Sequence, residues 1–168
     1  MPTILTLPEA QNFLGRVDDD PKADGLLRDI VLPGVDEIVE QYAGWVVPRE
    51  LTFTIEAGQR SVVLPGHRFR GIVSAAVGSE PVDVTGWVID DAGILRTDGG
   101  RACPSMRWTL TALVGMDPIP QAIKNAAGEI LLLAWEHQTN PTGDLRPFLV
   151  PYRAEAWLAP FTNGATVA

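Results

Sequence analysis

Cysteine is almost absent from this chain: Cys103 is the only one in 168 residues. A single thiol excludes an internal disulfide framework and fits a reducing compartment. Histidine is nearly as scarce, with His67 and His137 alone. The two fall on different predicted elements, so no Cys/His cluster has the spacing of a zinc site. Basic charge is outweighed, with 13 Lys and Arg against 21 Asp and Glu and a net charge of -8. That balance argues against tight DNA or RNA binding, which rests on neutralising phosphates. It also leaves no basic stripe for a membrane surface. The longest uninterrupted apolar run, Ile130 to Trp135, is far too short to span a bilayer. No basic patch followed by an apolar core opens the sequence, so no signal peptide is expected. The G-x-S-x-G elbow, the G-x-x-x-x-G-K-[ST] loop and the G-x-G-x-x-G fingerprint are all missing, as are internal repeats and low-complexity tracts.

What is present is an ordinary globular composition, 46% hydrophobic and 20% charged, which excludes a wholly disordered chain. The length suits one domain, or one domain with an elaborated insert, and is enough to bury a real core. The organising stretch is Asp117 to His137, the one long helix that the pattern predicts. Asp117 is placed to cap it, and Pro118 and Pro120 suit a first turn whose N–H groups have no helical partner. Ile119, Ile123, Ala126, Ile130 and Leu133 form an apolar stripe of helical period. Leu131, Leu132, Ala134 and Trp135 widen it, and a helix apolar nearly all round is buried on more than one side. Ala122, Ala126, Ala127 and Gly128 would let another backbone come close. Leu132 and Trp135 are therefore candidate subunit or partner contacts.

Two helical segments precede it. Thr6-Leu-Pro-Glu9 has the form of a capping box, with a helix expected from about Leu7 to Leu14 and a stop at Gly15. Asp18, Asp19 and Asp20 lack the alternating spacing and downstream Glu of a calcium loop. They read instead as a solvated loop leading into a helix N-terminus, where negative charge is favourable. A second helix is expected from Lys22 to Ala43, with Leu27, Ile30, Val31, Val35, Ile38, Val39 and Tyr42 on its apolar face. Pro33 cannot donate to the carbonyl of Asp29, so a kink or break is expected at Pro33-Gly34.

Between residues 51 and 114 the period shifts to two. Strands are expected at 51–55, 60–64, 69–77, 81–89, 94–96 and 106–114, separated by turn residues. Six short strands between two helical parts predict an α+β fold: a helical bundle with an antiparallel β unit inserted between the second helix and the long one. Beyond the long helix, Leu145, Phe148, Leu149 and Tyr152 suggest a short helix interrupted by Pro147 and Pro151. Trp157, Leu158 and Phe161 stand just before a small, polar end, and large apolar groups so placed usually dock on something.

Candidate chemistry is thin. His137 suits the helix C-terminus electrostatically. His67, Arg68 and Arg70 make a small basic cluster, more often an exposed strand end than a phosphate site. Asp83, Asp90 and Asp91 could pose as catalytic carboxylates, but Asp90 and Asp91 sit in a predicted turn, where Asp serves the backbone. Cys103 has no evident activating partner. Trp87 and Trp108, which a small β-rich ligand-binding module could use, lie in alternating strands and read as core. No catalytic residue, metal ligand or cofactor is expected.

The order of these elements resembles the head–tail connector (adaptor or head-completion) proteins of long-tailed bacteriophages. Thr6-Leu-Pro-Glu-Ala10 is similar to their opening T-L-E-E-A helix. Leu26 to Trp45, ending Ile-Val-Glu-Gln-Tyr-Ala-Gly-Trp, is similar to a helix of the form I-x-x-A-x-x-x-V-E-x-Y-x-G. Val63-Leu-Pro65 and Trp87 to Ile94 resemble their inserted strands. Pro118 to Glu136 resembles V-P-x-x-I-K-x-A-x-L-L-L-A-x-x-Y-E, and Phe148-Leu-Val-Pro-Tyr-Arg153 resembles the closing L-L-x-P-Y-R. The departures are Pro33-Gly34 and the segment 154–168. The resemblance covers most of residues 3 to 153. It implies a single connector domain over 1–153, with helices at 6–44 and 118–138 and the β insertion at 51–114, followed by a C-terminal arm. It further implies a non-enzymatic virion protein at the head–tail junction, made in the bacterial host cytoplasm. Such a protein forms a homo-oligomeric ring, usually a dodecamer, beneath the portal and above a stopper or the tail-tube and terminator proteins. Genomic DNA passes through the lumen without specific binding, and an acidic bore would let it slide. Another ring of the neck, a stopper or tail-completion protein, is the alternative within the same assembly. The arm residues Trp157, Leu158 and Phe161 are then candidate portal contacts.

Overall fold

The structure, a computed structural model, describes residues 2–16, 20–57, 62–66, 68–90, 92–97, 104–139 and 150–162. The fold is α+β, and the chain divides into a helical unit, Met1–Val46 with Pro118–Ala168, and a β unit, Val47–Asp117.

In the helical unit, α1 (Leu7–Phe13) begins with the expected capping box. The Glu9 amide donates to Thr6 Oγ1 at 3.4 Å, and the Thr6 amide donates to Glu9 Oε2 at 2.8 Å. Two otherwise orphaned donors are thereby satisfied, a device worth about 1 kcal/mol. Asp20 caps the next helix by accepting from the amides of Lys22 and Ala23 at 3.0 and 3.4 Å. Asp18 and Asp19 lie outside the described residues.

The second helix runs on through the proline. Helix α2 (Pro21–Leu26) passes into a π turn at Leu27–Val31 and then α3 (Leu32–Ala43). The break anticipated at Pro33 is thus a change of hydrogen-bond pattern just ahead of it. The Leu32 amide donates to Leu27 O, five residues back, and this wider turn accommodates a residue that has no N–H of its own. The buried face of α3 is Leu32, Val35, Val39 and Ala43.

The long helix α4 (Gln121–Thr139) starts three residues later than the pattern predicts. Ile119 precedes a proline, which disfavours the helical conformation for it. The first helical carbonyl is therefore that of Pro120, which accepts from the amides of Ile123 and Lys124 at 3.0 and 3.2 Å. Asp117, expected as the cap, instead accepts from Arg70 at 3.1 Å. Ile123, Ala126, Ala127, Gly128, Ile130 and Leu131 are the buried residues of α4. Helix α5 (Tyr152–Leu158), with a 3-10 turn at Ala159–Phe161, packs on α4 through Ala154 and Leu158. Of the short helix expected over Leu145, Phe148, Leu149 and Tyr152, the first three residues lie outside the described residues, and Tyr152 opens α5.

The β unit has seven strands among the described residues: β1 (Arg49–Ile55), β2 (Val62–Val63), β3 (Phe69–Val77), β4 (Glu80–Val82), β5 (Trp87–Ile89), β6 (Ile94–Thr97) and β7 (Trp108–Val114). Residues 81–89, anticipated as one strand, are two. Asp83 Oδ1 accepts from the Thr85 amide at 3.0 Å, and Gly86 has φ +79°. An Asx turn followed by a left-handed residue stops the ladder whatever the side-chain alternation says. All pairings are antiparallel, in sheets of order β1-β7-β3-β4 and β2-β6-β5. Trp108, Leu110, Ile55 and Ala75 of the first sheet share one apolar cluster with Trp87, Leu95 and Val62 of the second, together with Leu64. Trp87 and Trp108 meet edge to face, with centroids 5.4 Å apart at 79°. The expectation that both are core residues holds.

Candidate interaction surface

Most of the carboxylates that could suggest catalysis are occupied with structure. Asp90 Oδ1 accepts from the amides of Ala92 and Ile94 at 3.0 and 2.9 Å, and Arg96 lies 2.9 Å from Oδ2. The Ile94 amide, then Arg96, hold the Asp90 carboxyl below its ordinary value. Such a group stays ionised as a turn anchor and is poorly suited to take up a proton near neutrality. Asp83 serves the turn described above. Asp91, Cys103 and His67 lie outside the described residues. Among the described residues no group of three or more His, Cys, Asp or Glu side chains is arranged to hold a metal ion. No described helix is long and apolar enough to cross a membrane.

Polar ties between helices shape the helical unit. Lys124 Nζ lies 2.6 Å from Glu9 Oε1, joining α4 to α1. Lys124, followed by the Thr6 amide, lowers the Glu9 carboxyl below its ordinary value of 4.5. Gln11 and Arg16 both donate to Asp24 Oδ1, at 3.0 and 3.3 Å. The Arg16 guanidinium also sits 5.3 Å from the Trp135 ring centroid, a cation–π distance. Between these ties, Phe13 packs onto Gly128: a Cβ built there would lie 2.3 Å from the Phe13 ring. The small residue on α4 admits an aromatic ring from α1, where the sequence suggested a neighbouring backbone.

Beside Phe13 opens a groove of about 290 Å³, lined by Leu5, Glu9, Asn12, Phe13, Gln121 and Lys124. Nothing in the residue pattern advertised it. It forms where α1 crosses the first turns of α4, residues 115 apart in sequence in the case of Glu9 and Lys124.

The five residues expected at a subunit or partner interface have different surroundings. Leu132 and Trp157 are 43% and 40% exposed. Trp135 is half-buried beneath Arg16. Leu158 is fully buried within the chain, on the side of α5 that packs on α4, and Phe161 is half-buried. Among the described residues the most exposed large hydrophobic side chain is one the pattern did not single out as an interface residue, Tyr152, at 84%.

No protein-family model matches the chain. No curated protein matches it either. Solved structures do. A chain in the neck of an empty GTA particle, computed with C6 symmetry, is 18% identical, has a TM-score of 0.61, and aligns over 92% of this chain and 89% of its own. A chain in the virion of a native gene transfer agent (GTA) particle is 16% identical, with a TM-score of 0.70 over 95% of this chain and 90% of its own. At these identities the likeness speaks for the fold, and the fold of this chain is one found in the neck and the virion of gene transfer agent particles.

Proposed function

We propose that this chain is a structural protein of a phage-like neck: a head-to-tail adaptor that forms a ring beneath the portal, joins capsid to tail and lets DNA pass. The observation that carries this reading is likeness of fold along almost the whole chain to a component of a neck and a component of a virion. The order of sequence elements that resembles phage connectors supports it independently. Rings of six or twelve copies both obey the sixfold operator of the neck neighbour, and a dodecamer is the copy number that the connector resemblance favours. The net charge of -8 suits a bore through which a polyanion slides. Exposed Leu132 and Trp157 are available as contacts with neighbouring copies or with the portal.

Electron microscopy of the protein mixed with a portal tests the reading. Rings seated on the portal, weakened by Leu132→Glu without loss of the monomer fold, are the expected result. A protein that remains monomeric and leaves the portal bare would overturn it. Rings that form but seat only on another neck component would move the chain to a stopper or tail-completion position.

A further inference from the structure

We propose that α2 is a hinged latch that holds Arg16 over Trp135 and so gates the apolar patch made by Trp135 and Leu132 on α4. What the gate serves rests on the ring reading above; the gate itself is a property of the single chain.

The latch is a short series of contacts. Asp24 Oδ1, on α2, accepts from Gln11 Nε2 at 3.0 Å and from Arg16 Nη1 at 3.3 Å. The Arg16 and Asp24 side chains are each only 17% exposed, so either charge would be left unpaired at a cost if the other moved away. The Arg16 guanidinium then lies over the Trp135 ring, 5.3 Å from its centroid. A planar guanidinium can pair with a carboxylate and stack on an aromatic face at once. Trp135 is half-buried beneath it, whereas Leu132, three residues earlier on the same side of α4, is 43% exposed. Lifting Arg16 off the ring would join the two side chains into one open apolar surface.

Helix α2 is built to move. None of its six residues is buried. The π turn that follows buries Leu27 and Val31, and α3 buries Leu32, Val35, Val39 and Ala43. The core therefore grips this stretch from Leu27 onward and leaves Pro21–Leu26 outside it. A Cβ at Gly25 would meet nothing within 4 Å, so this glycine relieves no crowding and only weakens the helix. Six residues are too few to stand as a helix without support. A π turn is a place where helices bend, and scarce buried contacts on one side of it mark a segment that opens locally. Asp24 supplies the polar tie that opposes this opening. Bending at the π turn carries Asp24 away, frees Arg16 and uncovers Trp135.

Hydroxyl-radical footprinting and amide exchange, both read by mass spectrometry on the full-length chain, test the gate. In the wild type, amides of residues 23–27 should exchange faster than those of residues 35–43. Asp24→Ala removes the tie and leaves a good helix former in its place. It should raise exchange at 23–27 and labelling of Trp135 by about threefold or more, as loss of one hydrogen-bonded ion pair does. Labelling is taken relative to Trp157 in the same sample, and Trp87 and Trp108 should stay protected. Arg16→Gln, which lies outside α2, should also quicken exchange at 23–27. Unchanged Trp135 labelling in Asp24→Ala would overturn the gate. So would wild-type exchange at 23–27 as slow as at 35–43. If Asp24→Ala melts lower than the wild type, the decision passes to Arg16→Gln, where unchanged exchange at 23–27 overturns the gate. Mixed with a portal, Asp24→Ala should assemble at a lower protein concentration than the wild type, and equal concentrations would overturn the part of the gate in assembly. A chain that opens as described but never assembles would overturn the ring reading and leave the gate standing.

Discussion

Among the described residues of the helical unit the fully buried side chains are small or aliphatic, Ala10, Val35, Val39, Ile123, Ala126, Ala127, Ile130 and Leu158 included. In the β unit two tryptophans stand in van der Waals contact at the centre of the core. The helices approach through alanines and one glycine, so their contact is limited by what can be added. The sheets close over large rings, so their contact is limited by what can be removed. The units also differ in how they are assembled. The β unit is one continuous stretch whose first and last strands pair directly, Arg49 opposite Val114. Gly115 then passes so close that a Cβ there would lie 2.6 Å from Val47 O. A stretch whose two ends meet can sit within another unit without separating the parts of that unit. The helical unit instead joins α1 and α4 across a long span of chain, with Lys124 and Glu9 as one of the clasps.

The contrast predicts opposite sensitivities. Trp108→Ala should be the most damaging change, leaving a cavity beside Trp87 and costing about 3–5 kcal/mol. That corresponds to a melting temperature lower by about 6–20 °C for a chain of this size. Hydrogen exchange should show protection lost first on β3, β5 and β7. Equal early loss throughout α4 would break the distinction between the two units.

Gly128→Ala should show the reverse failure. In an exposed helix this change gains about 1 kcal/mol. Here the new methyl meets three atoms of the Phe13 ring within 2.7 Å, and overpacking costs about 1–3 kcal/mol. A net loss of about 1 kcal/mol in urea unfolding is expected. A stabilised variant would mean that Phe13 swings aside freely and that the helical unit is not tightly limited there.

The smallest effect concerns the clasp at the groove. The Glu9 carboxyl is lowered in the folded protein by Lys124 and by the Thr6 amide. Its contribution is therefore fully present above its unfolded value, near 4.5, and is lost as pH falls through the lower folded value. The pair is partly in water, so no more than about 1 kcal/mol is involved. Urea midpoints should fall more steeply between pH 6 and pH 3 for the wild type than for Lys124→Met. Parallel pH profiles would remove Glu9–Lys124 from the account of what joins α1 to α4.

Local chemistry in the sequence determined the elements. Thr6 and Glu9 specify their own capping box, Asp20 its own cap, and the alternation from Trp108 to Val114 its own inward face, because each involves neighbours a few residues apart. The α+β class followed from the order of periodicities. The misplacements came where a local backbone rule overrode a side-chain pattern: Pro120 delayed α4, Gly86 divided the fourth predicted strand, and the π turn carried the helix through Pro33. Other features were decided only by tertiary structure. The Phe13 ring over Gly128, Trp135 beneath Arg16, Leu158 turned inward and Tyr152 turned out depend on which distant faces meet. So does the groove between α1 and α4. Periodicity marks which face of a helix is apolar, but it does not say which partner covers that face, because packing is chosen by shape and volume across the whole unit.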